Sequence, residues 1–101
     1  MSRVSWIELK ERKVSGMSAP ERAEYERALA ESRFALEVGE RVRAAREAAG
    51  ISQRELARRM GTSQASVGRL ESGSVAATLA TLQRAALALG LRIEVKLRRS
   101  A

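Results

Sequence analysis

The chain has 101 residues, a formal net charge of +7 and 45% hydrophobic residues, enough for one small domain with a modest core. It contains no Cys, His, Asp or Asn, so disulfides, thiolate metal sites and catalysis by His or Asp are excluded. No apolar run approaches the roughly 20 residues of a membrane span, and we expect a cytoplasmic protein that is not an enzyme and needs no metal or cofactor.

Residues 1–37 are predicted to form an N-terminal helical arm. Ser18 is placed to cap a helix, with Glu21 three residues later to complete a capping box. The sequence that follows is rich in Ala, Glu, Arg and Leu, which favour helix. Gly39 is the weakest helical position, so we expect either two helices or one helix kinked there. A compact domain is predicted over residues 38–90.

Residues 52–73, SQRELARRMGTSQASVGRLESG, have the spacing of two short helices joined by a tight turn. Ser52 and Ser63 can each cap a helix, and Glu55 can complete a capping box with Ser52. Gly61 is predicted to leave the first helix in a left-handed conformation. The inward side chains are expected to be Leu56, Ala57, Met60, Val67 and Leu70.

A further helix is predicted after Thr78, which can cap it, and Gly90 is expected to end it. Its predicted inward side chains are Leu79, Leu82, Ala86 and Leu89.

The apolar pattern changes at residues 91–98, where apolar side chains alternate strictly with charged ones. Such alternation is typical of a half-buried strand. A lone strand cannot satisfy its own backbone, so its simplest partner is the same strand of a second copy. The sequence therefore predicts a homodimer, with a helical tail in solvent as the alternative. The predicted dimerisation residues are Leu91, Ile93, Val95 and Leu97.

The outward side chains of the second helix of the motif suit the reading of DNA bases. Gln can pair with adenine, Arg can bridge two acceptors of guanine, and an Ala methyl can contact the thymine methyl. The first helix presents backbone N–H groups at its start, which favour a phosphate. An ordinary helical hairpin with a solvated polar face is the alternative. The predicted DNA-binding residues are Ser52, Gln53, Thr62, Ser63, Gln64, Ala65, Ser66 and Arg69.

Charge is divided unevenly between the two parts of the chain. Residues 1–37 hold seven basic side chains and seven Glu, whereas residues 38–101 carry the whole net charge of +7. Because the basic part contains the two-helix motif, this asymmetry favours binding to a polyanion over a merely basic, soluble surface.

The stretch GISQRELARRMGTSQASVGRLESG resembles the helix-turn-helix of the phage-repressor (Xre/Cro-like) family, and the resemblance covers about residues 38–90. The family's Gly-x-Ser-Gln-x-Glu-Leu-Ala stretch is similar to Gly50–Ala57, and its Ser-Gln-x-x-Val stretch to Ser63–Val67. The resemblance implies a mainly α fold: a five-helix-type, lambda-repressor-like domain, here with an N-terminal helical arm and one C-terminal β-strand for dimer pairing.

The resemblance also implies roles for individual residues. Arg46 and Glu71 would form a structural salt bridge between the preceding helix and the end of the second helix of the motif. Gly68 departs from the pattern, since inside a helix it costs up to about 1 kcal/mol relative to Ala and supplies no base contact. The implied phosphate contact is Gln53, and the implied base contacts are Gln64, Ala65 and Arg69.

The layout of arm, repressor-like domain and terminal strand is similar to HigA-type antitoxins of type II toxin–antitoxin modules. Such antitoxins neutralise a RelE/HigB-like mRNA interferase by direct binding and repress their own operon. This implies two partners besides a second copy, namely operator DNA and a cognate toxin. The arm carries the chain's only Trp, Tyr and Phe, a residue class typical of partner contacts. The expected toxin-binding residues are Trp6, Ile7, Leu9, Tyr25 and Phe34.

Three alternatives stay open from the sequence. A free-standing Xre-type repressor without a toxin would carry the same DNA-binding residues. An adaptor that binds no DNA could use Trp6, Ile7 and Leu9 on a partner. The aromatic side chains of the arm could also simply pack onto their own domain.

Overall fold

The structure is a computed structural model that describes residues 15–75 and 77–100. Trp6, Ile7 and Leu9 lie outside the described residues. No helix in the described part is long and apolar enough to cross a membrane. Internal contacts divide the chain into two units, residues 1–33 and residues 34–101. The helices of the described part are α1 (Ala19–Ala48), α2 (Gln53–Met60), α3 (Gln64–Ser72) and α4 (Leu79–Ala88).

The first unit, as far as it is described, contains the start of α1. The Glu21 N–H donates to the Ser18 hydroxyl at 3.3 Å, which confirms Ser18 as the cap. Arg27 and Glu24 form an exposed ion pair at 2.8 Å one turn further on. Such surface pairs contribute little to stability.

Gly39 does not interrupt α1, so the first of the two expectations, two separate helices, is wrong. Gly39 is buried, and a Cβ built on it would lie 2.5 Å from the backbone oxygens of both Leu70 and Glu71. The residue is therefore a point of close approach between α1 and the end of α3. The part of the chain that the structure describes has four helices in its element order, so the five-helix count is not supported.

The two helices of the motif have the predicted ends. The Ser52 hydroxyl accepts from the Glu55 N–H at 3.1 Å, and the Ser63 hydroxyl accepts from the Ser66 N–H at 3.1 Å. Gly61 has φ 70°, the left-handed conformation that ends α2. The capping box is formed only in part, because the Glu55 carboxylate accepts hydrogen bonds from two arginines further along α2.

The core lies where α2 meets α3 and α4. The predicted inward residues of the motif are confirmed, since four of them are buried and Met60 packs against the buried cluster at its edge. Ala57 is small, which lets α2 and α3 approach closely. The fully buried side chains Leu56 and Val67 fix the rotation of each helix about its own axis. Val42 of α1 also packs against this cluster.

The first predicted inward residue of α4 is not buried, and another residue of the helix is buried instead. Thr78 caps the helix, its hydroxyl accepting from the Thr81 N–H at 3.1 Å. Leu79, predicted to point inward, is 72% exposed, whereas Ala85 is buried. The reason is position along the helix: Leu79 lies in the first turn, while Ala85 lies near the end that contacts the core through Ala88 and Leu89.

Residues 91–100 form neither helix nor strand in the single chain, so the structure does not support the predicted C-terminal strand. Gly90 has φ 69° and the Leu91 N–H still donates to the Ala86 carbonyl at 2.8 Å, after which regular structure stops. A strand exists only when its backbone pairs with another strand, and the described part of the chain offers no other strand. The alternating apolar side chains are all exposed: Leu91, Ile93, Val95 and Leu97.

Candidate nucleic-acid interface

An ion pair holds the last turn of α3 against α1. Arg46 Nε donates to Glu71 Oε2 at 2.7 Å and Arg46 Nη2 donates to Glu71 Oε1 at 3.1 Å. Arg46 Nη1 also donates to the Ile51 carbonyl at 2.9 Å. The side chains of Arg46 and Glu71 are only 12% and 3% exposed. Two parallel hydrogen bonds in a site with little water give this pair a defined geometry as well as charge attraction.

Both groups of the pair stay charged. Burial raises the pKa of the Glu71 carboxyl, but hydrogen bonds from Arg46 and Gln53 outweigh burial, and the net pKa lies below the ordinary value. The hydrogen bond to Glu71 raises the pKa of Arg46, against a smaller opposing effect of burial. The contact between α1 and α3 is therefore an ionised one at neutral pH.

Gln53 connects the start of α2 to the same carboxylate. Its Nε2 donates one N–H to Glu71 Oε1 at 3.1 Å. An amide nitrogen carries two N–H groups, and the second has no partner among residues 15–75 and 77–100. The Gln53 Oε1 atom lies 3.8 Å from the point that a Cβ on Gly68 would occupy. Arg46, Glu71 and Gln53 thus form one hydrogen-bonded chain that ends beside Gly68.

The outward side of α3 presents the side chains predicted to face bases. Gln64, Ala65 and Arg69 are exposed, and Ser66 is half-buried. Arg69 Nη2 donates to the Ser66 hydroxyl at 3.2 Å, and Ser66 Oγ lies 2.9 Å from Ser63 Oγ. The two serines therefore orient the Arg69 guanidinium, a role that their spacing in the sequence did not indicate.

Three consecutive polar residues lie at the start of α2: Ser52, Gln53 and Arg54. The Ser52 hydroxyl oxygen accepts the cap bond from the Glu55 N–H, and its O–H can still donate. Arg54, which sequence reasoning missed, is exposed and has no ion pair or hydrogen bond within the described residues. The sequence does indicate Arg54 as a candidate, since it follows Gln53 directly and belongs to the basic part of the chain. Thr62, in the turn between the helices, is exposed as well.

Not every cation of the motif is free for an anionic partner. Hydrogen bonds from Arg58 and Arg59 lower the pKa of Glu55 to about 2, so this carboxylate is charged at neutral pH. Arg59 also donates to the Ala88 carbonyl at 3.3 Å, which ties α2 to the end of α4. These two arginines are partly neutralised, whereas Arg54 is not.

Of the residues expected to bind a toxin, the structure describes Tyr25 and Phe34. Tyr25 belongs to the first unit and is half-buried. Phe34 begins the second unit and is 66% exposed. The described part of the chain also contains no group of His, Cys, Asp or Glu that could hold a metal ion.

Comparison with known proteins gives one match. A family model described as Helix-turn-helix matches residues 42–96, more than half of the chain. The matched segment includes the end of α1, all of α2, α3 and α4, and the ion pair between Arg46 and Glu71. No curated protein and no solved structure gives a match.

Proposed function

Because the chain belongs to the Xre/Cro-like family of helix-turn-helix proteins, we propose that it is a transcription regulator that binds double-stranded operator DNA in a sequence-specific manner. Helix α3 enters the major groove with its outward side facing the base edges. The observation that carries the proposal is the exposed set Gln64, Ala65 and Arg69, on a helix whose last turn is held against α1 by a buried ion pair.

The proposed contacts fall into two classes. Gln64, Ala65 and Arg69 face bases and supply specificity. Arg54 and Gln53 contact the phosphate backbone, which fixes position and adds affinity for any sequence. The remaining proposed contacts are near the starts of the two helices: Ser52, Thr62, Ser63 and Ser66, the first and third through backbone N–H groups.

Selection from a pool of random duplexes tests this function. The full chain is mixed with the pool, bound duplexes are recovered and sequenced, and the affinity for an enriched duplex is measured by fluorescence anisotropy at several salt concentrations. We expect enrichment of a defined sequence and an affinity that falls steeply as salt rises, because bound phosphates release counterions. Absence of both enrichment and binding at low salt would contradict DNA binding.

We further propose that two copies associate through residues 91–98, paired as antiparallel strands. The support is a run of exposed apolar side chains alternating with charged ones, on a backbone that has no strand partner within the described chain. Such a dimer would suit a palindrome whose half-sites lie about 34 Å apart.

Substitutions at the apolar and at the charged positions of residues 91–98 test the dimer, the second set serving as the matched control. The double variant Ile93→Ser/Val95→Ser removes apolar side chains and is expected to be monomeric in light scattering. The control Arg92→Ser/Lys96→Ser changes the alternate positions and is expected to stay dimeric. If the first variant keeps the mass of the wild-type dimer, this segment is not the interface.

The finer proposal is that the regulator is the antitoxin of a type II toxin–antitoxin module and also binds a RelE/HigB-like toxin. Its support is the HigA-like layout of the sequence and the exposure of Phe34, which leaves one of the expected toxin-binding side chains available. The same proposal includes four further residues as contacts to the toxin: Trp6, Ile7, Leu9 and Tyr25. A free-standing repressor fits the family membership equally well.

Co-expression with the product of the adjacent gene distinguishes these two roles. An antitoxin is expected to co-purify with a small basic neighbour and to restore growth that the neighbour alone arrests. Deletion of residues 1–18 is expected to weaken that rescue while DNA binding persists. A chain with no such neighbour, or one that fails to rescue growth, would be a free-standing repressor.

A further inference from the structure

Arg84 of α4 is an exposed cation without an acidic partner. It forms no ion pair or hydrogen bond within the part of the chain that the structure describes. Its stretch of sequence supplies no partner either, since residues 72–93 contain no Asp or Glu. Arg58 and Arg59 of α2 differ in this respect, because both donate hydrogen bonds to Glu55. The guanidinium of Arg84 is therefore available to an anion from outside the chain.

Arg84 lines a cleft that also contains the start of α3. The cleft has a volume of about 80 Å³, and its polar lining residues besides Arg84 are Thr62, Ser66 and Thr81. None of its lining residues is acidic. Thr62 is exposed like Arg84, and its hydroxyl has no partner within the described residues. The exposed part of the cleft thus offers hydroxyl and guanidinium donors, which are the groups that bind phosphate oxygens.

The cleft lies on the opposite flank of α3 from Gln53. Positions 66 and 68 are two residues apart, which separates them by about 200° around a helix axis. Gln53 Oε1 lies 3.8 Å from the point that a Cβ on Gly68 would occupy, whereas Arg84 shares its cleft with Ser66. A helix in the major groove has one sugar-phosphate backbone on each side. With α3 in the groove, Gln53 and Arg84 therefore face different strands.

We propose that Arg84 binds a phosphate of the DNA strand opposite the one that Gln53 faces, and that this phosphate sits at the cleft beside Thr62. This rests on the proposed DNA-binding function. The guanidinium donates two parallel N–H groups to the phosphate oxygens, and the Thr62 hydroxyl donates to the same phosphate. Arg84 thereby adds α4, which lies outside the two-helix motif, to the DNA interface. Because the contact is made to phosphate, it adds affinity for any sequence.

Arg84→Ala tests the contact in the full chain. Its affinity for a random-sequence 40-bp duplex, measured by anisotropy in about 0.1 M salt, is expected to fall about 10-fold. The slope of log affinity against log salt is expected to fall by about 1. Arg84→Lys keeps the charge but not the paired donors, so it is expected to keep the slope and lose part of the affinity. The Tm of both variants is expected to stay within about 3 °C of wild type, because the side chain is exposed and unpaired.

Arg33→Ala is the control for loss of charge alone. Arg33 is exposed, belongs to the first unit of the chain, and also has no printed or acidic partner in the described part. Its replacement is expected to leave affinity and salt slope unchanged. Equal losses for Arg33→Ala and Arg84→Ala would mean that only net charge matters, which would overturn the proposal.

Neutral phosphates identify the strand that Arg84 contacts. A single methylphosphonate is placed at each backbone position of the selected duplex in turn, and the affinity of each duplex is measured for wild type and variants. Arg84→Ala is expected to lose sensitivity to one position on one strand, and Gln53→Ala to a position across the major groove on the other strand. Positions on the same strand, or no position at which Arg84→Ala loses sensitivity, would contradict the proposal.

The same titrations separate this inference from the proposed function. A wild-type chain that binds no duplex would refute DNA binding itself. A wild-type chain that binds DNA no more tightly than Arg84→Ala, and with the same salt slope, would refute only the role of Arg84.

Discussion

Arg46 of α1 and Glu71 at the end of α3 are joined by two hydrogen bonds, of 2.7 and 3.1 Å, in a site where both side chains are nearly inaccessible to water. They lie 25 residues apart in the chain. A third residue, Gln53 of α2, donates to the same carboxylate. One carboxylate thus connects three helices.

Replacing Glu71 by Gln is expected to destabilise the protein by about 3 kcal/mol, because it removes the negative partner of a buried arginine. Urea unfolding followed by circular dichroism measures the change. Glu37→Gln is the matched control, since Glu37 pairs with Arg41 on an exposed surface of α1, the helix that also carries Arg46. We expect its effect to be below about 0.5 kcal/mol. Equal effects of the two substitutions would show that burial does not strengthen the Arg46–Glu71 pair.

The stabilising effect of Glu71 is expected to depend on pH. The pKa of Glu71 is lowered on folding from its ordinary value of 4.5, so the unfolded chain binds its proton more readily. The contribution is therefore complete above about pH 5 and is lost as the pH falls through the folded pKa. We expect the difference in Tm between wild type and Glu71→Gln to be constant from about pH 7 to pH 6 and to shrink below about pH 4.5. Glu55 also titrates at low pH, but it is present in both proteins and cancels. A difference that stays constant down to about pH 3 would contradict the lowered pKa.

Arg69→Ala is expected to cost about 1–3 kcal/mol of binding to the selected duplex and to relax discrimination at one base pair. Its effect on a random duplex should be much smaller. Arg54→Ala should weaken both duplexes alike, because a phosphate contact carries no sequence information. Anisotropy titrations with both duplexes give the comparison. Equal losses for Arg69→Ala on the two duplexes would assign Arg69 to the backbone.

Gly39→Ala is expected to destabilise the protein by about 1–3 kcal/mol, despite the better helix propensity of alanine. The added Cβ would lie 2.5 Å from the backbone oxygens of Leu70 and Glu71, and neither helix can yield without losing packing. Gly68→Ala makes the same substitution where the nearest atom, Gln53 Oε1, lies at an ordinary contact distance of 3.8 Å, and it is expected to stabilise. Thermal unfolding of the two variants gives opposite shifts in Tm. A stabilised Gly39→Ala would mean that α1 and α3 are not closely packed at this point.

Local patterns in the sequence predicted the motif correctly. A serine before each helix, a glycine between them and apolar residues at three- and four-residue spacing determine where α2 and α3 begin, end and turn inward. These features act within a few residues of each other, so they can be recognised without knowing the rest of the fold. The pairing of Arg46 with Glu71 was available only through the family resemblance, because no local pattern links residues so far apart.

Only the tertiary structure decided those features that depend on contacts with residues far away in the sequence. Gly39 looked like a weak point of a helix, but the backbone of α3 lies directly against it, and the helix continues because glycine is what that approach requires. Leu79 fitted the apolar spacing, but the core does not extend to the first turn of α4. The alternation in residues 91–98 is determined by the sequence, yet a strand needs a second backbone beside it. Sequence alone thus determined local geometry, while burial and strand formation depended on what lies next to each segment in space.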